Sequence, residues 1–323
     1  MGWWNLWRKA QEHEQNRDVL GQPIAVQPHY GEHLGDVDYW GAYVVEVARR
    51  EDLPESQVEA PFVGTFPTFL IGECVVKLFG PGFDGAESWA AERAMHELLA
   101  SRPGIPAPAL IAAGALFDDE QEWTWPYLVT RRLRSQPVRE RPLTGTAGVS
   151  IAGQLGEAVA ALHALVPPDE VDDRDLVSHL RSEAPARLAE FGLPAHLVEQ
   201  VPEFLGDAPP AATLVHADIT ADHLFHDGQA MTGIIDWGDA IVADPYYELV
   251  AIAFDCFDAD SRLLAAFLRG YGWVVDADFA RNAIQAVCEF QFNAIERIAA
   301  IVDLRLVPTL DVLGDRLFGS LGT

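Results

Sequence analysis

The chain has 323 residues, too many for one small core, so two lobes are expected, and with 49% hydrophobic residues core material is plentiful. Forty-nine acidic against 22 basic residues give a net charge of -27, a field that repels nucleic acid and anionic membranes and favours cationic small molecules as partners. No apolar run reaches the roughly 18 residues of a membrane span, and Cys74, Cys256 and Cys288 lack metal or disulfide spacing, which fits a reducing cytoplasm.

Met1-Gly2-Trp3-Trp4-Asn5-Leu6-Trp7 is apolar but too short for a signal sequence, and reads as a packing or interfacial arm. Tyr39 to Arg50 has helical spacing and stops at the Asp52-Leu53-Pro54 breaker, so residues 1–57 form a helical flank to a first lobe at 58–134. From Val58 to Phe79, short β-branched runs punctuated by Gly64, Pro67 and Gly72 predict two or three antiparallel strands. The whole chain has two lysines, Lys9 and Lys77, and the second lies in the apolar run Cys74-Val75-Val76-Lys77-Leu78-Phe79. An edge-strand lysine facing solvent would account for it, but in a chain that otherwise uses arginine it invites a chemical reading.

Asp84 and Glu87 have the spacing of a capping box opening a helix to about Leu99. At about 100° per residue, Trp89, Glu92, His96 and Leu99 share one stripe, so Glu92 faces inward while Glu87 and Glu97 do not. Trp125 to Thr130 reads as a buried strand that closes the first lobe, with the boundary near Arg134. In residues 135–323, Gly145 to Leu165 and most of Pro245 to Leu306 are helical in spacing, around a β-rich stretch from Leu214 to Asp236. The fold class expected is α+β: a small antiparallel-sheet lobe and a larger, mainly helical one.

The densest chemistry lies in Leu214-Val215-His216-Ala217-Asp218-Ile219-Thr220-Ala221-Asp222-His223-Leu224-Phe225, followed by Ile234-Ile235-Asp236-Trp237-Gly238-Asp239. A two-residue turn at Asp227-Gly228 would pair His223 with Thr232 and Ile219 with Asp236, returning Asp236 beside Asp218 and His223. Phosphoryl transfer asks for such a set: one carboxylate at the attacking hydroxyl, and further ligands for Mg²⁺ on the phosphates.

These residues resemble the catalytic loop of the aminoglycoside phosphotransferase and choline kinase families, His-x-Asp-x-x-x-x-Asn followed by an Asp-Phe-Gly or Asp-Trp-Gly segment. The resemblance implies a two-lobed protein-kinase-like fold, ATP and Mg²⁺ as cofactors, Asp218 as catalytic base and Asp236 as metal ligand. His223 stands where the pattern has asparagine; because imidazole suits softer ions than Mg²⁺, the second metal position is water-mediated, weak or open to Mn²⁺. His216, two residues before the base, reads as a loop-orienting side chain.

Phe62-Val63-Gly64-Thr65-Phe66-Pro67-Thr68 and Ile71 to Gly80 look like the nucleotide loop and lysine strand of hygromycin B phosphotransferases, and Trp125-Pro126-Tyr127-Leu128-Val129 like their hinge strand. The likeness implies nucleotide contacts from Thr65 and Phe66, phosphate contact from Lys77 with Glu92 as its partner, and adenine contact from the Arg131 and Leu133 main chain. Ser135 replaces the glycine common after that hinge. Asp244-Pro245 reads as a helix cap, and His163 as a core or loop-contacting histidine. On the last long helix, Asn282, Glu289, Asn293 and Glu296 share a polar face, either solvated or a carboxylate wall for a cationic acceptor aided by Asp239, Asp255 or Asp258. The resemblance implies an acceptor hydroxyl on an aminoglycoside such as hygromycin B, with a choline, homoserine or macrolide kinase and a pseudokinase module as alternatives.

Overall fold

The computed structural model describes residues 16–17, 23–24, 30–61, 64–117, 123–171, 174–207 and 213–322. The tryptophan-rich arm, Lys9, and Phe62 and Val63 of the nucleotide loop lie outside the described residues. The chain divides into two compact units, Met1–Ser101 with Pro108–Arg134, and Arg102–Ala107 with Ser135–Thr323. The expected 58–134 lobe is thus interrupted at 102–107, where Pro106 O accepts the Ile234 N–H at 2.8 Å.

The first unit is built on an antiparallel sheet ordered Val58–Glu59, Thr68–Ile71, Cys74–Leu78, Pro126–Arg131, Leu110–Ala115. Gly72, at φ +57°, makes the tight turn that pairs Ile71 with Cys74 and Thr68 with Lys77. Alternation along Cys74–Leu78 sends Cys74, Val76 and Leu78 to one face and Lys77 to the other. The first face is covered by the helix Val37–Arg50, which is part of this core rather than a flank. Asp36 caps the helix, accepting the N–H groups of Asp38 and Tyr39, so it begins two residues before the expected Tyr39. Trp40 is fully buried there, 5.0 Å from the Trp125 ring centroid, with its indole N–H donating to His33 O. Trp40→Ala is expected to lower stability by about 3–5 kcal/mol, from lost burial and the cavity left behind, as read by denaturant unfolding.

The other face carries Phe66, Phe79 and Leu128 beside the helix Gly85–Leu99. The expected capping box does not form. Asp84 has φ +51° and caps nothing with its side chain, because the chain enters the helix through left-handed Phe83 and Asp84.

The second unit is mainly helical: Gly145–His163, Arg174–Glu190, Tyr246–Ala251 running into a π turn at Ile252–Cys256, then Ser261–Tyr271, Phe279–Glu289, Ile295–Ile301 and Leu310–Phe318. Gly145–His163 and Ser261–Tyr271 meet backbone to backbone. A Cβ on Gly156 would lie 2.1 Å from Phe267 O, and one on Gly270 2.0 Å from Gly153 O. Two small sheets sit among the helices: Thr213–Val215 with Ile241–Ala243, and Met231–Ile234, Leu224–His226, Gln136–Pro137. The architecture is the α+β arrangement expected, and among the described residues no helix is long and apolar enough to cross a membrane.

Two local expectations fail. The hairpin loop spans Asp227–Ala230 rather than a two-residue turn, because the Asp227 carboxylate accepts the N–H groups of Gln229 and Ala230. With a bulge at Phe225/His226, Leu224 faces Ile234 and His223 lies beside Ile235, not Thr232. The last long helix is not continuous: Phe290 turns extended at ψ 133°, so Glu289 and Glu296 sit on separate helices and share no face.

Candidate active site

In the first unit, Lys77 Nζ lies 2.7 Å from Glu92 Oε2, with the two side chains only 14% and 7% exposed. Its ammonium also sits 5.2 Å from the Phe79 centroid and 5.7 Å from that of Phe66. Losing either partner of so buried a pair strands a charge, typically at about 3–5 kcal/mol. The inward stripe on Gly85–Leu99 is formed, with Glu92, His96 and Leu99 buried and Glu87 and Glu97 exposed. Thr65 is exposed, while Phe66 is buried against Phe79 and its carbonyl accepts from Thr68 Oγ1. At the hinge, the Arg131 N–H is taken by Ala109 O and the Arg132 N–H by Glu73 O.

In the second unit the order of construction runs from His216 outward. His216 is fully buried, donates Nε2–H to Ile235 O at 3.0 Å and accepts the Asp218 N–H at Nδ1 at 3.2 Å. These two bonds define a neutral tautomer, and burial holds its pKa below the ordinary histidine range. The loop-orienting role read from the sequence is what this geometry performs. Below it, the buried carboxylate of Glu248 accepts the His216 N–H at 2.7 Å, and His163, bonded to the Tyr271 hydroxyl, lies 3.7 Å from the same carboxylate. Asp244 Oδ1 accepts the Tyr246 N–H, the helix cap expected of it.

Ala217, at φ +69°, turns the chain just before Asp218, and Asp236 is likewise left-handed at φ +64°. His223 lies between the two carboxylates. Its Nδ1–H donates to Asp218 O at 2.7 Å and sits 3.3 Å from Asp218 Oδ2, while Nε2 is 3.6 Å from Asp236 Oδ2. Burial, with the added negative charge of Asp239, Asp236 and Asp255, pushes the Asp218 carboxyl up to about 8 against the opposing effect of His223. A carboxylate of raised proton affinity suits proton abstraction from a hydroxyl.

Among the described residues no group of three or more His, Cys, Asp or Glu could hold a metal alone. Mg²⁺ characteristically binds through one or two carboxylates with phosphate oxygens supplying the rest, so Asp236, across His223 from Asp218, fits a metal that arrives on a nucleotide. The imidazole of His223 fits that hard cation less well than an oxygen donor would.

The loop is held from outside by Asp255, read from the sequence as a helper of an acceptor wall, and by two arginines that the sequence reading did not assign. Asp255 Oδ1 accepts the Ala221 N–H, and Asp255 is bound by Arg139 at 2.9 Å and Arg297 at 2.7 Å, with Arg139 also bridging to Asp222. Asp255 is therefore tied up, not an open carboxylate. Glu289 is 3% exposed and paired with Arg181. Glu296 is exposed on Ile295–Ile301, whose start Asn293 caps through Oδ1, and Asp239 ends the turn Trp237–Asp239. The structure groups Asp218, His223 and Asp236, and separately Lys77 and Glu92, but forms no common wall from Asp255, Glu289 and Glu296. Arg139, Glu248 and Thr220 were missed. For Glu248 a signal existed, its place four residues after the Asp244 cap, on the first turn of a helix pointing back at the loop.

Comparison with known proteins bears on the fold and the family. Solved structures of similar fold include an aminoglycoside 2''-phosphotransferase IIIa with GDP and kanamycin (21% identity, TM-score 0.61, covering 87% of this chain and 98% of that one). Another is the hygromycin enzyme APH(4)-Ia with ADP and hygromycin B (16%, TM-score 0.55, 85% and 97%), which is no nearer than the 2'' enzymes. A curated relative, lysine-specific demethylase JMJ21 of Arabidopsis thaliana, is 22% identical over 52% of this chain, which spans only 23% of that protein. Residues 65–285 match the profile of the phosphotransferase enzyme family, APH, a stretch that runs from the loop at Thr65 through Lys77, Asp218 and Asp236. A kinase-like sheet unit with a buried lysine–glutamate pair, a helical unit with a histidine-locked aspartate, and a profile match across both mean that the chain belongs to the phosphotransferase enzyme family.

Proposed function

We propose that the chain transfers the γ-phosphoryl group of ATP to a hydroxyl of a small molecule. The observation that supports this most is the grouping of Asp218, His223 and Asp236 at one end of the hairpin, with the Asp218 main chain locked by neutral His216. Asp218 takes the proton of the attacking hydroxyl. Asp236, faced by His223 Nε2, would hold Mg²⁺ together with the nucleotide phosphates, and the metal offsets the negative charge of the transferring group. Lys77, fixed by Glu92, meets the phosphates; Thr65 and Phe66 belong to the loop over them, and the Arg131 carbonyl and Leu133 main chain meet adenine. The buried free thiols Cys74, Cys256 and Cys288 support a reducing, cytoplasmic setting.

For the acceptor, the kanamycin and hygromycin B bound by proteins of similar fold, and the net charge of -27, support a cationic aminoglycoside, hygromycin B among them. The pairing of Asp255 and Glu289 removes two carboxylates from the wall that reading relied on. The test is ADP release from ATP and Mg²⁺ across kanamycin, hygromycin B, choline and macrolide acceptors, repeated with GTP. Acceptor-dependent release is expected. A second reading, a nucleotide-binding module, is favoured by His223 in the asparagine position; nucleotide affinity by calorimetry with no ADP release from any acceptor would establish it and end the first.

A further inference from the structure

Beside Asp218, wholly within the second unit, lies a recess of about 100 Å³. Its apolar wall is Phe254 from the π turn and Phe290 and Phe292 from the break between two helices, with Val250 and Ala294 between them. Phe290 packs tilted against Tyr247, with ring centroids 5.3 Å apart, and Phe292 meets Phe290 edge-on at 5.5 Å yet remains 42% exposed. An aromatic ring left that open beside a reacting carboxylate is a surface awaiting cover.

Apart from the Asp218 carboxylate, which faces the reacting hydroxyl in this reading, the charges around the recess are already paired. Asp255, which lines it, carries two guanidinium partners, and one of them, Arg297, lines it too. Glu289, the other acid expected nearby, is buried with Arg181. Away from Asp218, an ammonium entering here loses water, finds a neutralised carboxylate and faces a guanidinium, whereas a hydrocarbon face gains from burial against the apolar wall, chiefly the open Phe292 ring. The remaining polar groups, Thr220 and Asn293, offer hydrogen bonds without net charge.

Resting on the phosphotransfer reading, we propose that the acceptor is an amphipathic alcohol, seating an uncharged hydrocarbon face on Phe254, Phe290 and Phe292 next to its reacting hydroxyl, rather than a polyamine whose ammonium groups surround that hydroxyl. The long-range acidic field and the local recess then act differently: the field bears on encounter, the recess on fit.

The test uses the full chain with ATP and Mg²⁺ and a series of alkyl β-glucosides from methyl to hexyl, with kanamycin and choline alongside, measuring ADP release and, separately, binding by calorimetry. Efficiency and affinity should rise by about fourfold per methylene, the equivalent of about 0.8 kcal/mol, until the recess is full, with little dependence on salt. Phe292→Ala should flatten that chain-length slope, and Phe292→Leu should keep most of it. Because binding is read independently of turnover, chain-length-dependent binding that needs Phe292, with no ADP from the glucosides, kanamycin or choline, would support the apolar site and count against the phosphotransfer reading. Kanamycin turned over with an efficiency that falls as salt rises, while the glucosides show no chain-length slope, would overturn the proposal and keep phosphotransfer. Failure of every glucoside to bind would overturn it as well.

Discussion

Asp218→Asn is expected to lower turnover by roughly 10² to 10⁴ while leaving nucleotide affinity near wild type, because a positioned base contributes about that much and makes no contact with the nucleotide in this reading. Asparagine keeps the size of the side chain and the main-chain N–H that His216 Nδ1 accepts, so the loop keeps its lock. It removes a charge that burial and the carboxylates of Asp239, Asp236 and Asp255 already disfavour, so the variant should melt no lower than wild type. Loss of rate with intact melting and intact nucleotide binding assigns the proton step to Asp218. Wild-type turnover in the variant would remove Asp218 from the chemistry.

Asp236→Ala should abolish metal-dependent nucleotide binding and with it all turnover, since Asp236 is the carboxylate proposed to hold the metal together with the phosphates. The two variants thus separate: one loses rate at full affinity, the other loses affinity for the metal–nucleotide complex. Calorimetry with and without Mg²⁺ reads the difference, and unchanged Mg²⁺-ATP affinity would take Asp236 out of the metal site. Because Asp236 has φ +64°, where alanine is less at ease than aspartate, melting of Asp236→Ala and Asp236→Asn should be compared so that a folding defect is not mistaken for a lost ligand.

Much of the second-unit site was legible because its residues are close in sequence. Asp218, His223 and Asp236 fall within one hairpin, and the cluster forms even though the register is wrong, because a turn in which the His223 and Leu224 N–H groups both reach Thr220 O folds the loop back before the strand begins. The register itself was hidden by a side-chain effect: Asp227 captures two N–H groups and widens the loop. The inward Glu92 was legible from helical spacing alone, whereas its 2.7 Å bond to Lys77 needed the tertiary fold.

The misjudged acceptor wall has a single root. The helix Arg174–Glu190 is polar and contains Pro185, which reads as a breaker, so it was not anticipated. That helix supplies Arg187, whose guanidinium donates to Cys288 O, Phe290 O and Leu180 O, capping the helix Phe279–Glu289 where no glycine or proline marks an end. It also supplies Arg181, which draws Glu289 inside. One unread helix therefore both broke a helix that spacing had joined and buried the acid assigned to its surface.

The scarcity of lysine has a practical side. With Lys9 the only other lysine in the sequence, an amine-directed reagent carried on a nucleotide has essentially one internal target in the first unit, Lys77, held in place by Glu92. Arginine, which carries the rest of the positive charge, is inert to that chemistry. On the proposed contact of Lys77 with the phosphates, mass spectrometry of the labelled peptide would report nucleotide occupancy, turning a compositional quirk of this chain into a built-in single-site footprint for screening ligands.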